Sequence, residues 1–283
     1  HCISSAASDV YKRQELERLY YDDRKQKINL IFSIIINLAV LVFFKYYGFL
    51  LNTIGGIIGI HIPHPELSLP IGLSFYTFRN LSYLFDIYLS KVSAQRNFLT
   101  FAVYSTMFPY TSAGPIVRYT DIETQLKQRT INISKFGTGA ELFVKGLAKK
   151  VLLADNLSVL YSSICGHPQM SVFTSWLGIL AYTMQLYFDF SGYSDMAIGL
   201  GKMLGFDFNK NFDYPYISTS VSEFWRRWHI SLGSWFRDYI YIPLGGNRVS
   251  TLKHIRNILV VWALTGLCLL YTSDAADDMQ CVD

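Results

Sequence analysis

Charged residues are scarce in this chain of 283 residues: Asp, Glu, Lys and Arg make up only 16%, whereas 51% of the residues are hydrophobic. With a mean hydropathy of +0.23, the composition is too apolar for an ordinary soluble domain. The small basic excess, a formal net charge of +4, lies in short clusters between apolar runs, as in the loops of membrane proteins. The composition predicts a membrane protein in contact with lipids and no nucleic-acid partner.

Cysteine is also rare, since only Cys2, Cys165, Cys268 and Cys281 occur. Their positions show neither the CxxC nor the HxxxH spacing of zinc sites and suggest no disulfide framework. We therefore expect no metal site and no redox chemistry. Cys165 has no histidine near it in the sequence, so an acyl-cysteine intermediate is not expected either.

One apolar run is long enough to cross a membrane as a single helix. Residues 28–51, INLIFSIIINLAVLVFFKYYGFLL, would span a hydrocarbon core of about 30 Å at about 1.5 Å per residue. The run is too long for a signal peptide and follows a charged stretch. Basic residues within 18–27 predict that the start of this helix faces the cytoplasm.

Other apolar segments are shorter or more polar, and several carry Pro, Gly, Ser or Arg at the depth of a membrane. They are 67–89, 98–112, 138–164, 172–190, 192–204, 220–241 and 255–267. Such segments survive in lipid only where they are buried in protein or line a watery cavity, because their freed backbone groups need partners. The expected fold is an all-α polytopic membrane domain with short re-entrant and broken helices.

Both ends of the chain differ in character from the rest. Residues 1–14, HCISSAASDVYKRQ, and residues 268–283, CLLYTSDAADDMQCVD, resemble translated adapter sequence. The second of them turns an apolar segment into an acidic tail; the alternative is that both are genuine polar tails. We expect both to be non-native, which leaves residues 15–267 as a partial membrane domain.

A stretch in the second half of the chain gathers aromatic and basic residues around one histidine, His229. Residues 222–248, SEFWRRWHISLGSWFRDYIYIPLGGNR, contain three Trp and four Arg. Ser220 and Glu223 fit the S-x-x-E pattern of a capping box. The pattern predicts one helix over 221–241, which ends at the following Pro and Gly residues.

Successive residues on this helix turn by about 100°, which separates an apolar face from a charged face. The apolar face would contain Trp225, His229, Leu232 and Phe236. The charged face would contain Glu223, Arg226, Arg227, Arg237 and Asp238. Glu223 and Arg227 have the spacing of an ion pair. We expect the Arg side chains and the rings of Trp225, Trp228 and Trp235 to lie at the level of the lipid headgroups.

His229 would then lie on the buried side of the helix. Burial lowers the pKa of a histidine, and a neutral imidazole can act as a base towards a hydroxyl group. The alternative is a histidine of the protein core whose ring is hydrogen-bonded to a backbone carbonyl.

Two acidic residues, Asp189 and Asp195, lie in the apolar and glycine-rich run LYFDFSGYSDMAIGLGKMLGF, together with Ser191, Tyr193 and Ser194. Unpaired carboxylates are costly in such surroundings, so they should face a polar cavity or accept hydrogen bonds. A structural role, in which they tie broken helices together, and a catalytic role both stay open. The glycines predict either close helix approach or a turn of the chain, and they are Gly192, Gly199, Gly201 and Gly205.

A third stretch, FPYTSAGPIVRY at residues 108–119, cannot form one continuous helix. Pro109 and the Gly114-Pro115 pair interrupt it, which predicts a re-entrant loop that lines a pore. Arg118 would bind an anionic group of a substrate or lipid, or act as a simple anchor at the membrane interface.

Five stretches in this order resemble the membrane-bound O-acyltransferase (MBOAT) family. They are LPIGLSFYTF, FPYTSAGPIVRY, YFDFSGYSDMAIGLGKMLGF, NFDYPY and EFWRRWHISLGSWFRDYIYIPLGGNR. The branch they resemble is the bacterial one with the alginate O-acetyltransferase and the D-alanyl transferase for lipoteichoic acid. The likeness covers most of residues 15–267.

The resemblance implies a ring of helices around a tunnel, in a multi-pass protein of the bacterial cytoplasmic membrane. It implies acyl transfer, acetyl above all, from a cytoplasmic thioester (acyl-CoA or acyl-carrier protein) without a tightly bound cofactor. The acceptor would be a hydroxyl of an envelope polysaccharide such as alginate, or of an extracytoplasmic carrier protein. His229 matches the first of two active-site histidines. Candidate substrate contacts are Arg118, Asp189, Ser191, Tyr193, Asp195, Trp225, Arg226 and Trp228.

The second active-site histidine of the branch, which the resemblance implies is the essential base, is absent. The resemblance implies a Trp-His pair after an LTGL-like stretch, whereas here Leu267 is followed by Cys268 and Leu269. We therefore expect the chain as written to be an inactive fragment of an enzyme. Two other functions stay open: a transporter or flippase, against which the lack of an inverted repeat counts, and an inactive scaffold of a polymer-export complex.

Overall fold

The computed structural model describes residues 23–60, 70, 72–111, 114–167 and 171–269, and all regular structure in these ranges is helical. The predicted all-α class is confirmed. The chain divides into two compact units, the first with residues 1–106 and 234–283 and the second with residues 107–233.

The first unit contains the longest helix among the described residues, with 36 residues. Its helices are α1 (Asp23–Ile58), α2 (Leu73–Tyr88), α3 (Phe98–Thr106), α10 (Thr251–Leu269) and a π-helical turn (Arg237–Tyr241). Residues 24–58 of α1 are long and apolar enough to cross a membrane, by length and composition. This helix extends the predicted spanning segment 28–51 at both ends.

Trp235 in the first unit is a core residue, so its predicted place at the lipid headgroups is wrong. Its side chain is 3% exposed, and its indole Nε1–H donates to the carbonyl oxygen of Phe78 at 3.1 Å. Because that bond satisfies the polar end of the indole, the whole ring can be buried. The Tyr239 ring packs beside it, with 5.3 Å between ring centroids.

Long helices also build the second unit. It contains α4 (Tyr119–Lys127), α5 (Ile133–Ala148), α6 (Asp155–Cys165), α7 (Val172–Met203) and α8 (Val221–Arg227), with a π-helical segment (Lys149–Ala154) between α5 and α6. The predicted segments 172–190 and 192–204 are one continuous helix, α7, of 32 residues. The expectation of a break near residue 191 is therefore wrong.

Glycines allow α5 and α7 to touch along their backbones, which explains why α7 is glycine-rich without being broken. A Cβ at Gly146 would lie 2.5 Å from the Gly192 carbonyl oxygen, and one at Gly199 would lie 2.6 Å from the Gly139 carbonyl oxygen. Only hydrogen fits at such distances. Gly205 alone among the four predicted glycines turns the chain with a positive φ, +88°.

The predicted helix over 221–241 begins as expected but is interrupted, so the prediction of one continuous helix is wrong. Ser220 Oγ accepts the Glu223 N–H at 3.1 Å, which confirms the N-terminal cap. The helix α8 ends at Arg227, and α9 (Ile230–Phe236), within which the boundary of the two units falls, starts after His229. His229 itself has a φ of +44°, a left-handed conformation that is unusual for residues other than glycine.

The glycine contact predicts opposite effects for two alanine substitutions in α5. Gly146→Ala places a methyl group against the backbone of α7 and should lower the free energy of unfolding by about 1–3 kcal/mol. Gly137→Ala is the control, because a Cβ there has no neighbour within 4 Å, and alanine favours helix by about 1 kcal/mol over glycine. Thermal unfolding midpoints of the detergent-solubilised full-length protein would compare them; equal losses would contradict the close packing.

Candidate active site

The side chain of Asn211 is within hydrogen-bond distance of three buried polar residues of the second unit, Ser194, His229 and Ser231. Asn211 lies in the coil after α7 and is 1% exposed. Its Oδ1 lies 2.8 Å from Ser231 Oγ, 3.3 Å from the Ser231 backbone nitrogen and 3.0 Å from His229 Nδ1. Its Nδ2 donates to Ser194 Oγ at 3.0 Å. A single amide thus connects α7, the coil and the His229 segment.

His229 is buried as predicted, with 5% of its surface exposed. The flanking helices have seven residues each, so neither is long enough to span a membrane. The ring lies against aromatic neighbours, with the Phe190 ring edge-on at 4.8 Å and the Phe212 ring parallel at 6.4 Å between centroids. The apolar and aromatic surroundings disfavour the imidazolium and favour the neutral ring.

The described hydrogen bonds of His229 do not include a backbone carbonyl. Its Nδ1 meets the Asn211 side chain at 3.0 Å and, more distantly, Ser231 Oγ at 3.4 Å. Of the two alternatives that the sequence left open, the core histidine bonded to a carbonyl is thus not the arrangement found.

The stretch around Arg118 reaches the same network through its backbone. Residues 115–118 are not helical, as predicted, and the Ile116 N–H donates to Ser231 Oγ at 3.0 Å. Gly114 allows a close approach to Tyr110, since a Cβ there would lie 2.7 Å from the Tyr110 Cα. Arg118 is half-buried and precedes α4, and its backbone N–H donates to Asp121 Oδ2 at 3.2 Å.

Asp189 and Asp195 are compensated by two lysines for which no role was predicted. Asp195 Oδ2 lies 2.6 Å from Lys149 Nζ, and Asp189 Oδ1 lies 2.7 Å from Lys150 Nζ. Both lysines belong to the π-helical segment, and Lys150 also pairs with Asp155 at 3.2 Å. Two adjacent lysines inside the apolar segment 138–164 are the signal that could have predicted these pairs. Both pairs join α7 to the π-helical segment, and the structural and catalytic roles of the two carboxylates both stay predictions.

The remaining candidates on α7 and α8 differ in their surroundings. Ser191 is buried, and its Oγ has no hydrogen-bond partner among the described residues. Tyr193 is half-buried on the same helix. Trp225 is 39% exposed and Arg226 is exposed, so the prediction that Trp225 shares a buried face with His229 is wrong. The reason is the interruption of the helix between them.

Trp228 belongs to an aromatic cluster directly before His229. Its ring contacts Phe212 edge-on at 5.1 Å and Phe224 in a stacked arrangement at 5.6 Å between centroids. The rings of Tyr187 and Tyr216 also belong to the cluster, each with its centroid 6.3 Å from that of Trp228. This cluster supports the ring neighbours of His229 from one side.

No role was predicted for Asn211, although the stretch NFDYPY that it opens was singled out. A polar residue that begins a proline- and aromatic-rich coil carries no periodic signal, so neither helix nor strand patterns identify it. The roles of its partners Ser194 and Ser231 are equally hard to predict from the sequence, because each is one of many serines in the chain.

A family model and the similar proteins of known name point to the same family. The model of the MBOAT, membrane-bound O-acyltransferase family, matches residues 71–267. The chain is 47% identical over 242 residues to the probable alginate O-acetylase AlgI of Pseudomonas aeruginosa, which covers 84% of the chain and 46% of that protein. It is 35% identical over 271 residues to the peptidoglycan O-acetyltransferase of Helicobacter pylori, with 85% and 51% covered.

A more distant relative is the teichoic acid D-alanyltransferase of Bacillus subtilis, 28% identical over 189 residues, with 64% of the chain and 47% of that protein covered. The chain spans about half the length of the curated relatives it matches. All residues of the Asn211 network lie within the part that the family model matches.

The ion pairs between α7 and the π-helical segment predict that Asp195→Asn lowers stability by about 1 kcal/mol or more, because it leaves the half-buried Lys149 without its partner. Glu141→Gln is the control. It breaks an exposed pair of the same length, 2.6 Å, with Lys145, and because solvent screens such a pair, its loss should cost little. Thermal unfolding of the full-length protein would compare them, and a Glu141→Gln loss as large as that of Asp195→Asn would contradict the assignment.

Proposed function

The chain belongs to the membrane-bound O-acyltransferase family, and we propose from this that its full-length protein transfers an acetyl group to hydroxyls of a cell-envelope polysaccharide. The relatives that support acetyl transfer are the alginate O-acetylases and the peptidoglycan O-acetyltransferase named above. The observation that carries the proposal is His229, which is buried and hydrogen-bonded to Asn211 at the point where four of the family-like stretches meet. An alternative acyl group is D-alanyl, which the more distant relatives transfer.

We propose a multi-pass protein of the bacterial cytoplasmic membrane, with a ring of helices around a tunnel. Family membership supports a membrane protein, and α1 has the length and composition of a spanning helix. Most of the large apolar side chains of α1 are exposed, as is expected for a helix that faces lipid. The non-helical backbone at residues 115–118 would be a re-entrant piece within the ring, where protein surrounds it.

The proposed donor is a thioester, either acyl-CoA or an acyl-carrier protein, that reaches the site from the cytoplasm. The acceptor hydroxyl would come from the polysaccharide or from a carrier protein on the other side. A thiolate is an adequate leaving group, so a covalent enzyme intermediate is unnecessary. No tightly bound cofactor enters this scheme.

In the proposed reaction His229 accepts a hydrogen bond from the acceptor hydroxyl. The hydroxyl oxygen attacks the thioester carbonyl carbon, the C–O bond forms and the C–S bond breaks. The hydroxyl proton passes to an imidazole of the complete site and from there to the departing thiolate, which leaves as a thiol. Because burial disfavours a lasting imidazolium, the proton should spend little time on the ring.

A second histidine would complete this site in the full-length protein. The family resemblance implies a Trp-His pair where this chain has Cys268 and Leu269. We therefore expect the chain as written to be inactive, and activity should be measured on the protein encoded by the complete gene.

Replacing His229 tests the proposal. His229→Asn is a suitable variant, because asparagine tolerates the left-handed φ of +44° better than alanine does and lacks a basic nitrogen. We expect labelled acetyl incorporation into polysaccharide to fall by about 100-fold or more, with unchanged amounts of protein in the membrane. His229→Ala should give the same loss of activity.

His167→Ala is the matched control, because His167 is exposed at the end of α6; it should retain activity. Normal acetylation by the His229→Asn protein would contradict the catalytic role and favour an inactive scaffold. The absence of any acyl incorporation by the unaltered full-length protein would favour a transporter or flippase.

A further inference from the structure

We propose that Asn211 is a positioning residue that holds His229 in one tautomer, with hydrogen on Nδ1 and a bare Nε2 towards the acceptor hydroxyl. This inference rests on the proposed function for its catalytic meaning. Its structural part, the tautomer itself, depends only on the hydrogen bonds of five residues in the second unit.

The orientation of the Asn211 amide follows from its neighbours. The Ser231 backbone N–H can only donate, and the amide atom it meets at 3.3 Å must therefore be the oxygen, Oδ1. The opposite assignment would set the amide NH₂ against this N–H, two donors facing each other in a buried place. Such an arrangement would leave buried N–H donors without an acceptor, which is energetically costly.

The two serines hold the amide in this orientation from both ends. Ser231 Oγ accepts the Ile116 N–H at 3.0 Å, and its own hydrogen is directed to Asn211 Oδ1 at 2.8 Å. On the other side, Asn211 Nδ2 donates to Ser194 Oγ at 3.0 Å. A flipped amide would lose its hydrogen bonds at the Ser231 end, where the backbone N–H can only donate, and this end therefore decides the orientation.

The tautomer of His229 follows from the amide. Asn211 Oδ1 can only accept, so the His229 nitrogen that lies 3.0 Å from it, Nδ1, must carry a hydrogen. A neutral imidazole has one N–H, which leaves Nε2 with its lone pair. Among the described residues, the hydrogen bonds of the ring all involve Nδ1, so Nε2 is the nitrogen available to a substrate hydroxyl.

Asn211 also sets the backbone of the histidine. Its carbonyl oxygen accepts the Ile230 N–H at 2.9 Å, and its side chain accepts the Ser231 N–H. These are the first amides of α9, which thus find partners outside the preceding helix. The bonds satisfy the N–H groups at the start of α9 and stabilise the left-handed φ of His229, a conformation that is costly for residues other than glycine.

This arrangement matters for the reaction because the other tautomer would present an N–H to the acceptor. Such a nitrogen cannot accept a hydrogen bond from the hydroxyl, so the hydroxyl would no longer be held for attack on the thioester. Loss of Asn211 should therefore lower kcat much more than it changes KM.

The first experiment reads the tautomer directly. The full-length protein is labelled with 15N-histidine, and the His229 signals are identified by their loss in His229→Asn. The expected spectrum at pH 7 shows a neutral ring with hydrogen on Nδ1 and none on Nε2. Hydrogen on Nε2, or a mixture of tautomers, would overturn the inference whatever the activity of the protein.

The second experiment compares substitutions of Asn211. Asn211→Leu should lower kcat by about 100-fold or more with little change in KM, since it removes the acceptor that selects the tautomer. Asn211→Asp keeps an accepting oxygen, and the Ser194 hydroxyl can rotate to donate to it, so this variant should recover at least ~10-fold over Asn211→Leu. Equal kcat values for the unaltered protein and Asn211→Leu would overturn the proposal.

Asn257→Leu is the matched control for the loss of a buried amide. The Asn257 side chain is buried and donates to the Leu244 and Gly246 carbonyls at 3.1 Å in the first unit. It should lower the yield of folded protein but leave the His229 tautomer unchanged. A shift of the tautomer in Asn257→Leu equal to that in Asn211→Leu would show a general effect and overturn the specific role.

These results separate the inference from the proposed function. Active His229→Asn protein would contradict the function of His229 even if the Nδ1-protonated tautomer is found. Inactive His229→Asn protein with hydrogen on Nε2 in the unaltered ring would keep the function and overturn the role of Asn211.

Discussion

The buried side-chain amide of Asn211 needs partners for both its oxygen and its NH₂ group, because an unpaired amide would cost about 1–3 kcal/mol. It finds them in Ser194, His229 and Ser231, while the Ser231 hydroxyl also accepts the N–H of Ile116. These four residues come from three separate stretches of the chain. The hydrogen bonds of one buried amide therefore fix His229, the non-helical residues 115–118 and α7 relative to one another.

Other features of the second unit make this placement possible. Direct backbone contact between α5 and α7 through glycines gives α7 a firm position, and Ser194 lies on that helix between Gly192 and Gly199. Ion pairs of Asp189 and Asp195 with adjacent lysines hold the same face of α7 to the π-helical segment. A left-handed residue at His229 is then tolerated because its surroundings determine its conformation.

Local patterns were enough to predict the helical class, the cap at Ser220, the Glu223–Arg227 ion pair and the burial of His229. They did not predict features that depend on residues far away in the sequence. The break at His229 depends on Asn211, 18 residues earlier in the chain, and helical periodicity contains no sign of it. The burial of Trp235 likewise depends on a carbonyl 157 residues away, so its amphipathic ring alone suggested a membrane interface.

The account claims that Asn211 acts on acyl transfer through His229, and a double-mutant cycle tests that claim most directly. The rate of labelled acetyl transfer would be measured for the full-length protein with Asn211→Leu, His229→Asn and both substitutions together. We expect the double variant to be no slower than His229→Asn alone, because the amide has no further effect once its histidine is gone. Independent effects that multiply in the double variant would contradict the account.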